Sequence, residues 1–248
     1  MKRQEVRLIA IPSIPLIREG DNLGAIIREC CDAQNIAIRQ SDILVVAQKI
    51  VSKAEGAVIN LKDVVPSEMA LELAGQTGRD ARLCQVYIDE SAEILRVKGR
   101  MVITRHRLGF ECSGSGVDRS NIAPHSDETV VLLPKDPDQS ARIIRETIKI
   151  ANGKSIAVII SDSFGRNDRD GSIGTAIGIA GIAPLELREQ RDLFGNPANS
   201  RIALVDELAA AASIIMGQAD ESFPVVLIRG ARFTTEENAS IKKLLFLD

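Results

Sequence analysis

Aromatic residues are scarce in this chain. Of its 248 residues none is Trp, one is Tyr (Tyr87) and six are Phe. A protein that grips single strands needs rows of stacking rings, and a general nucleic-acid binder carries a basic surplus. The formal net charge here is −3, so composition speaks against nucleic acid as a partner. Histidine is scarcer still: His106 and His125 cannot make a His-rich metal site. The four cysteines (Cys30, Cys31, Cys84 and Cys112) form no C-x-x-C pair, so they are neither a disulfide framework nor a zinc spacing. They read as buried thiols of a reducing compartment, the cytoplasm. Long hydrophobic runs are also missing. The apolar stretch at 6–17 after Met1-Lys2-Arg3 is broken by Pro12 and Pro15 and precedes no small-residue cleavage site. Stretches 173–185 and 208–217 are too short to span a bilayer, so no membrane association is expected. Neither G-x-G-x-x-G, H-E-x-x-H nor G-x-S-x-G occurs. Gly153-Lys154-Ser155 resembles the end of a P-loop, but Ile148 stands where the first glycine is needed, and the segment runs from helix to strand.

What is present suits a globular protein that builds its core without staples: 45% of residues are hydrophobic and 26% charged. Segments 6–11, 43–47, 129–133, 156–160 and 225–228 read as strands, and 101–104 with 109–112 as a strand pair around a short turn. Helices are expected from an Asp21 cap to about 35, from Pro66-Ser67, over 140–152 with Gly153 as the left-handed stop, over 205–216 and over 236–247. Asp80 opens a longer helix whose apolar stripe comprises Leu83, Val86, Tyr87, Ile94 and Leu95. Segment 48–56 reads as a polar stretch of reactive side chains. Strands and helices mix without strict βαβ alternation, which predicts an α+β fold, a mixed β-sheet with packed helices. No repeat or linker divides the chain. Residues 1–248 are expected to be one unit, built of two interleaved lobes whose boundary composition does not mark.

Three polar clusters carry candidate chemistry. In Gly114-Ser115-Gly116-Val117-Asp118-Arg119-Ser120-Asn121, glycines allow close backbone approach, and Asp118 with Asn121 offers hard oxygen donors for Mg²⁺, Mn²⁺ or phosphate. The same composition also makes an ordinary surface turn. Ser161-Asp162-Ser163-Phe164-Gly165-Arg166 follows the 156–160 strand, at the end where sheets place ligands, and it reads equally as a helix cap. Lys49, Lys53, Arg105, Arg107, Arg166, Arg229 and Arg232 fall at strand ends or in loops, where they could gather a polyanionic substrate or serve as solvated charge. Asp118 and Asp162 form a candidate carboxylate pair at a distance the sequence leaves open.

Taken in order, the segments resemble the coenzyme F(420)-0:L-glutamate ligases. The resemblance rests on Ile14-Pro15-Leu16-Ile17 followed by Glu19-Gly20-Asp21, and on residues 42–56 (DILVVAQKIVSKAEG). It continues through Gly116-Val117-Asp118-Arg119-Ser120-Asn121, Leu132-Leu133-Pro134 with Asp136-Pro137-Asp138, and Ile160-Ser161-Asp162-Ser163-Phe164-Gly165-Arg166. Asp192-Leu193-Phe194-Gly195, Asp206-Glu207-Leu208-Ala209, Met216-Gly217-Gln218 and 224–230 complete the series. The resemblance implies a GTP-dependent ligase that joins the amine of L-glutamate to a carboxylate of a deazaflavin precursor through an acyl phosphate. It implies Mg²⁺ or Mn²⁺, with K⁺ as an auxiliary ion, and an intertwined homodimer. By the same resemblance Asp118 and Asp162 are ligands of one metal, and Ser163 and Gln218 approach a second. Asp118, Asp162 and Ser163 thereby carry catalysis. Ile14, Pro15, Leu16, Ile17, Lys53, Asn121 and the loop from Met216 and Gly217 to 223 contact GTP.

The chain departs from the family pattern in places. Ser113-Gly114-Ser115-Gly116 replaces Asn-Ala-Gly, Asn167-Asp168-Arg169-Asp170 replaces apolar or basic residues, and Asn196-Pro197-Ala198-Asn199 replaces a basic start. Gln218 stands where some members have Glu. Two further readings remain open: the same chemistry on another carboxylic acid, or a catalytically silent GTP-binding protein. With rings so few, Phe164 and Phe194 are the aromatic residues expected to flank the flat substrate.

Overall fold

The computed structural model describes residues 5–122, 128–166 and 169–245, with the Arg166 side chain excepted. Met1-Lys2-Arg3, His125, Asn167, Asp168 and the last three positions of the chain lie outside the described residues. In chain order the elements are β1 (Arg7–Ala10), α1 (Leu23–Ala33), β2 (Ile43–Ala47), α2 (Gln48–Ala54), β3 (Val58–Asn60), α3 (Glu68–Thr77), α4 (Ala81–Asp89), β4 (Ser91–Lys98), β5 (Met101–His106) and β6 (Glu111–Ser113). They continue with β7 (Thr129–Val131), α5 (Pro137–Asn152), β8 (Ala157–Arg166), β9 (Arg169–Ala180), β10 (Glu186–Arg191), β11 (Pro197–Ile202), α6 (Leu204–Met216) and β12 (Val225–Arg229). The expected α+β class with a mixed sheet is what forms.

The principal sheet has the order β1-β12-β2-β8-β9. Only the β2–β8 pair is parallel, and its register sets Ala47 opposite Ser161. Ile43–Val46, Ala157–Ile160 and Val225–Ile228 are wholly buried, so both faces of these strands must be covered, which explains their unbroken apolar runs. α5 packs on β8 and β9, with α1 against α5, and α6 packs across β9, β12, β1 and β2. A second core, built on Leu61, Leu73, Leu83, Val86, Tyr87, Val102 and Val130, joins α3 and α4 to the β4-β5-β6 meander and the β3–β7 pair. The β10–β11 ribbon pairs with no other strand among the described residues.

β9 is seated by two close approaches. A Cβ on Gly178 would lie 2.4 Å from Pro137 at the start of α5, and one on Gly174 would lie 2.6 Å from the Ala209 carbonyl of α6. Between them the register shifts, Ile160 facing Gly178 and Ser161 facing Ala176. The N–H groups around this bulge are taken by carboxylates: Ala176 donates to the part-buried Asp206 at 2.9 Å and Ile179 to the buried Asp138 at 2.8 Å. Burial raises the Asp206 carboxyl above the usual range, against the pull of that N–H.

Several local expectations are corrected. Asn22, not Asp21, caps α1, accepting from the Ala25 N–H, while Asp21 accepts from Arg18. Segment 48–56 folds mainly as α2. The helix after Asp80 stops at Asp89, and Ile94 and Leu95 enter β4, where pairing with β5 replaces helical bonds. α5 starts earlier than 140, because Asp136 caps it and Pro137 occupies its first turn; Gly153 ends it at φ 66° as expected. The 156–160 strand runs on to Arg166, and β9, β10 and β11 are additions to the expected strands. In the described part of the expected 236–247 helix, only a single 3₁₀ turn forms, Ile241–Leu244. Asp138 accepts the Ile241 N–H, which pins the segment as a strap against α5.

Gly178→Ala should destabilise the protein by about 2 kcal/mol or more through overpacking against Pro137. Gly75, in α3, has open space where a Cβ would go, so Gly75→Ala should add about 0.5–1 kcal/mol. Urea unfolding of both variants checks the pair. A Gly178→Ala protein as stable as its parent would contradict the seating of α5 on β9.

Candidate functional site

The parallel register ends β2 and β8 side by side, and the residues beyond each strand face one cleft of about 640 Å³. From β2 the chain turns directly into α2, which presents Gln48, Lys49 and, one turn on, Lys53. From β8 come Ser161, Asp162 and Ser163. The third wall is the segment carrying Asp118, Ser120 and Asn121, and the fourth is the loop that leaves α6 at Met216. Ile14, Pro15, Leu16 and Ile17 add an apolar stretch to the lining. Every residue singled out through the resemblance therefore lines this cleft: these four, Lys53, Asp118, Asn121, Asp162, Ser163, Met216, Gly217 and Gln218.

Asp118 is held by its backbone and by both side-chain oxygens. Its N–H and C=O exchange bonds with Val131 at 2.9 and 2.8 Å. Oδ1 accepts the Ser120 N–H at 2.7 Å, and Oδ2 lies 2.7 Å from the Lys49 ammonium. Burial alone would raise this carboxyl, but Lys49 and Ser120 outweigh it and hold it below the usual range. Among the described residues no such counter-ion stands at contact distance from Asp162. Burial, reinforced by the Asp118 charge, pushes its carboxyl up to about 6, against the Ser163 N–H, Lys49 and the Gln48 side chain. Lys53 donates to the Asn121 carbonyl at 2.7 Å, and burial together with the neighbouring Lys49 charge lowers its pKa although Asp118 opposes the shift.

The 216–223 loop crosses the cleft as a strap tied at two points. The Gln218 amide N–H donates to Ser163 Oγ at 3.0 Å, and Asn121 Nδ2 donates to the Ala219 carbonyl at 2.7 Å. The strap starts at Gly217, whose φ of 68° and ψ of −163° only glycine adopts without strain. Glu221 folds back to accept the Ala219 N–H at 2.9 Å.

The donor set suits a hard divalent cation. Two carboxylates line one cleft, one of them paired with Lys49, and Ser163 and Gln218 add neutral oxygens to the lining. Among the described residues no three His, Cys, Asp or Glu side chains gather as a metal cluster. A cation here would keep open positions for water or phosphate oxygens, as Mg²⁺ and Mn²⁺ do.

Other sequence expectations do not reach the cleft. Gly114 and Ser115 are buried: a Cβ on Gly114 would meet the Tyr87 ring at 2.9 Å, and Ser115 Oγ donates to the Tyr87 carbonyl at 2.7 Å. The altered 113–116 segment is thus packing, not a phosphate loop. Of the basic set, Lys49 and Lys53 are the members that line the cleft among the described side chains, and the Arg166 side chain lies outside them. Arg105 pairs with Glu93 and Glu111, Arg107 with Glu90, and Arg229 with the buried Asp42. Phe164 is buried against Phe110, ring centroids 6.0 Å apart, and Phe194 projects from the β10–β11 turn, so neither flanks the cleft. The ring that does line it is Phe223. Gln48, Ser120 and Ser161 also line it, though the sequence alone assigns them no role. The helical spacing of Lys49 and Lys53 is the signal that could have found α2, since i and i+4 share a face.

Comparison with known proteins points the same way. A family model described as F420-0:Gamma-glutamyl ligase matches residues 12–230. The chain is 42% identical over 227 residues to the "Coenzyme F420:L-glutamate ligase" of Methanothermobacter thermautotrophicus, covering 91% of this chain and 89% of that one. It is 42% identical over 234 residues to the protein of the same name from Methanocaldococcus jannaschii (93% and 90%), and 39% identical over 237 residues to that of Methanosarcina mazei (95% and 90%).

Asn121→Ala removes one of the two ties on the strap, a hydrogen bond contributing about 1 kcal/mol. Amides 217–223 should then exchange with deuterium roughly fivefold faster, while exchange in β2 and β8 stays as in the parent. Unchanged exchange in the strap would show that it is held elsewhere.

Proposed function

The chain belongs to the F(420)-0:γ-glutamyl ligase family, and on that premise we propose that it joins L-glutamate to the carboxylate of a deazaflavin coenzyme precursor at the expense of GTP. The observation that supports this most directly is that Asp118, Asp162, Ser163 and Gln218 line one cleft together with the apolar residues Ile14, Pro15, Leu16 and Ile17. The acidic and hydroxyl groups suit phosphoryl transfer, and the apolar lining suits a base.

In the proposed sequence a precursor carboxylate oxygen attacks the γ-phosphorus of GTP, the bond to the β-phosphate oxygen breaks, and GDP leaves. The glutamate amine then attacks the acyl carbon, phosphate departs with the bonding pair, and the amine proton passes to phosphate or water. Asp118, Asp162, Ser163 and Gln218 are the residues that would hold divalent cations. Bound there, Mg²⁺ or Mn²⁺ neutralises charge on the transferring phosphoryl group. Lys53 and Asn121 meet the nucleotide's phosphates or sugar, and the 216–223 strap encloses it. Enclosure matters because water would destroy the acyl phosphate.

The same reading makes the protein a homodimer, with the β10–β11 ribbon as its contact. An isolated two-stranded ribbon is marginal in water. This one carries Leu187, Leu193 and Phe194 at 70%, 100% and 91% exposure, an apolar surface that a second copy would cover.

Purified protein with GTP, Mn²⁺, L-glutamate and the precursor should yield GDP and a glutamylated product in equal amounts. Asp118→Ala and Asp162→Ala should each lower turnover by about a hundredfold or more. Normal turnover in both would overturn the site, and GDP release only with some other acid would select a different acceptor. Replacing Leu193 and Phe194 together by Asp should give a monomer in sedimentation; a persisting dimer would move the interface off the ribbon.

A further inference from the structure

The family resemblance assigns Lys49 no role, yet its ammonium is in contact with Asp118 of the acidic pair. Its ammonium stands 2.7 Å from Asp118 Oδ2 and 2.6 Å from Ser120 Oγ. Asp118 Oδ1 is already taken by the Ser120 N–H. Each oxygen of the carboxylate therefore already has a partner, and a cation on Oδ2 would meet the positive charge of Lys49 beside it, so the two cations compete for that oxygen. The side chain has somewhere to go. It rises from the first turn of α2 into the same cleft as Asp162, Ser163 and Gln218, and its flexible stem lets the ammonium swing without moving the helix. The Lys53 ammonium, one turn on, is anchored to the Asn121 carbonyl and does not compete for Asp118.

We infer that Lys49 is a displaceable charge: it holds Asp118 in place in the free protein, yields Oδ2 to the divalent cation, and then sets its ammonium against the phosphoryl group being transferred. The inference rests on the proposed metal role of Asp118 and adds to it a residue that touches substrate. Two opposing demands meet at this position. Without a cation, two carboxylates in one half-buried cleft repel each other, and Lys49 offsets that. With GTP and cations present, an ammonium freed a few ångströms away stabilises the charge on the phosphoryl oxygens. The exchange moves a side chain and a cation and transfers no proton.

The test is a titration of nucleotide-free protein with Mn²⁺, reading free Mn²⁺ by electron paramagnetic resonance. Lys49→Met removes the competitor, so Mn²⁺ should bind about tenfold tighter than to the parent. Lys49→Arg keeps the competing charge and should stay within about twofold of the parent. A merely structural ion pair predicts the opposite, since losing it would loosen Asp118 and weaken Mn²⁺ binding. Equal or weaker binding to Lys49→Met overturns the proposal, with thermal unfolding of both variants confirming that each is folded. Asp118→Asn separates the two levels. If it binds Mn²⁺ as the parent does, the metal role of Asp118 fails first; if it loses Mn²⁺ while Lys49→Met shows no gain, only the displacement fails. In the ligase assay at saturating Mn²⁺ and GTP, Lys49→Met should lose about a hundredfold in kcat, with Lys49→Arg recovering part of it. A kcat within about threefold of the parent would remove the substrate-facing half of the inference.

Discussion

The pairing of β2 with β8 is the contact on which the cleft depends. It is the single parallel pair of the principal sheet, with Ala47 set opposite Ser161. In a parallel pair both chains run out at the same end, so the residues beyond the two strands are brought together there. Gln48 and Lys49 leave one strand, and Asp162 and Ser163 continue the other. An antiparallel pairing of the same strands would send these groups to opposite edges of the sheet. Both strands are buried on both faces, and a slip of one residue would reverse the faces of every side chain without gaining burial. The hydrophobic core thus fixes the relative height of an ammonium and a carboxylate that lie outside it.

A second constraint acts through β9. Its bulge lies level with Ser161, where buried apolar strand gives way to cleft-lining strand. The backbone N–H groups that a bulge removes from the ladder need acceptors. Asp206 and Asp138, at the N-terminal ends of α6 and α5, supply them. The two helices are thereby registered to the sheet by their first turns, and Gly174 and Gly178 let them come close enough. Since α6 ends at Met216 and releases the strap, the bulge also sets where the strap begins. Asp138 additionally holds the Ile241 N–H, so one carboxylate ties the sheet, α5 and the C-terminal segment together.

The same forces decide how much of this is legible in the sequence. Residues 43–47 and 225–228 read almost to the residue, because strands buried on both faces become unbroken aliphatic runs. The polar residues of the cleft are legible as ordered motifs, and all of them converge. Whatever depends on distant partners escapes. β9 carries glycines where helices approach, which hides its alternation; β10 and β11 are exposed and polar, so nothing marks them. The 236–247 pattern is amphipathic enough for a helix, but Asp138 outcompetes the helical carbonyl for the Ile241 N–H. Gly114-Ser115-Gly116 looks like a phosphate cradle because glycine also serves close packing, here beneath Tyr87 and Leu133.

The shortage of aromatic residues takes a definite form in the folded protein. Phe164 and Phe110 pack on each other and contribute to the core, and among the described residues Phe223 is the aromatic ring on the cleft wall. Beside it stand Ile14, Pro15, Leu16, Ile17, Ile50, Ile122 and Pro224. Aliphatic walls bury a flat heterocycle by area without dictating its orientation, whereas paired rings impose stacking geometry. Orientation in such a cleft must come from directional groups: the backbone of the strap and the polar side chains of Asn121, Asp118 and Asp162. In the proposed reading a base held by aliphatic contact would be located by its phosphates, and the Asp118–Asp162 pair would anchor the whole ligand. On that reading the state of a single ammonium, on Asp118 or away from it, would be felt by the whole bound nucleotide.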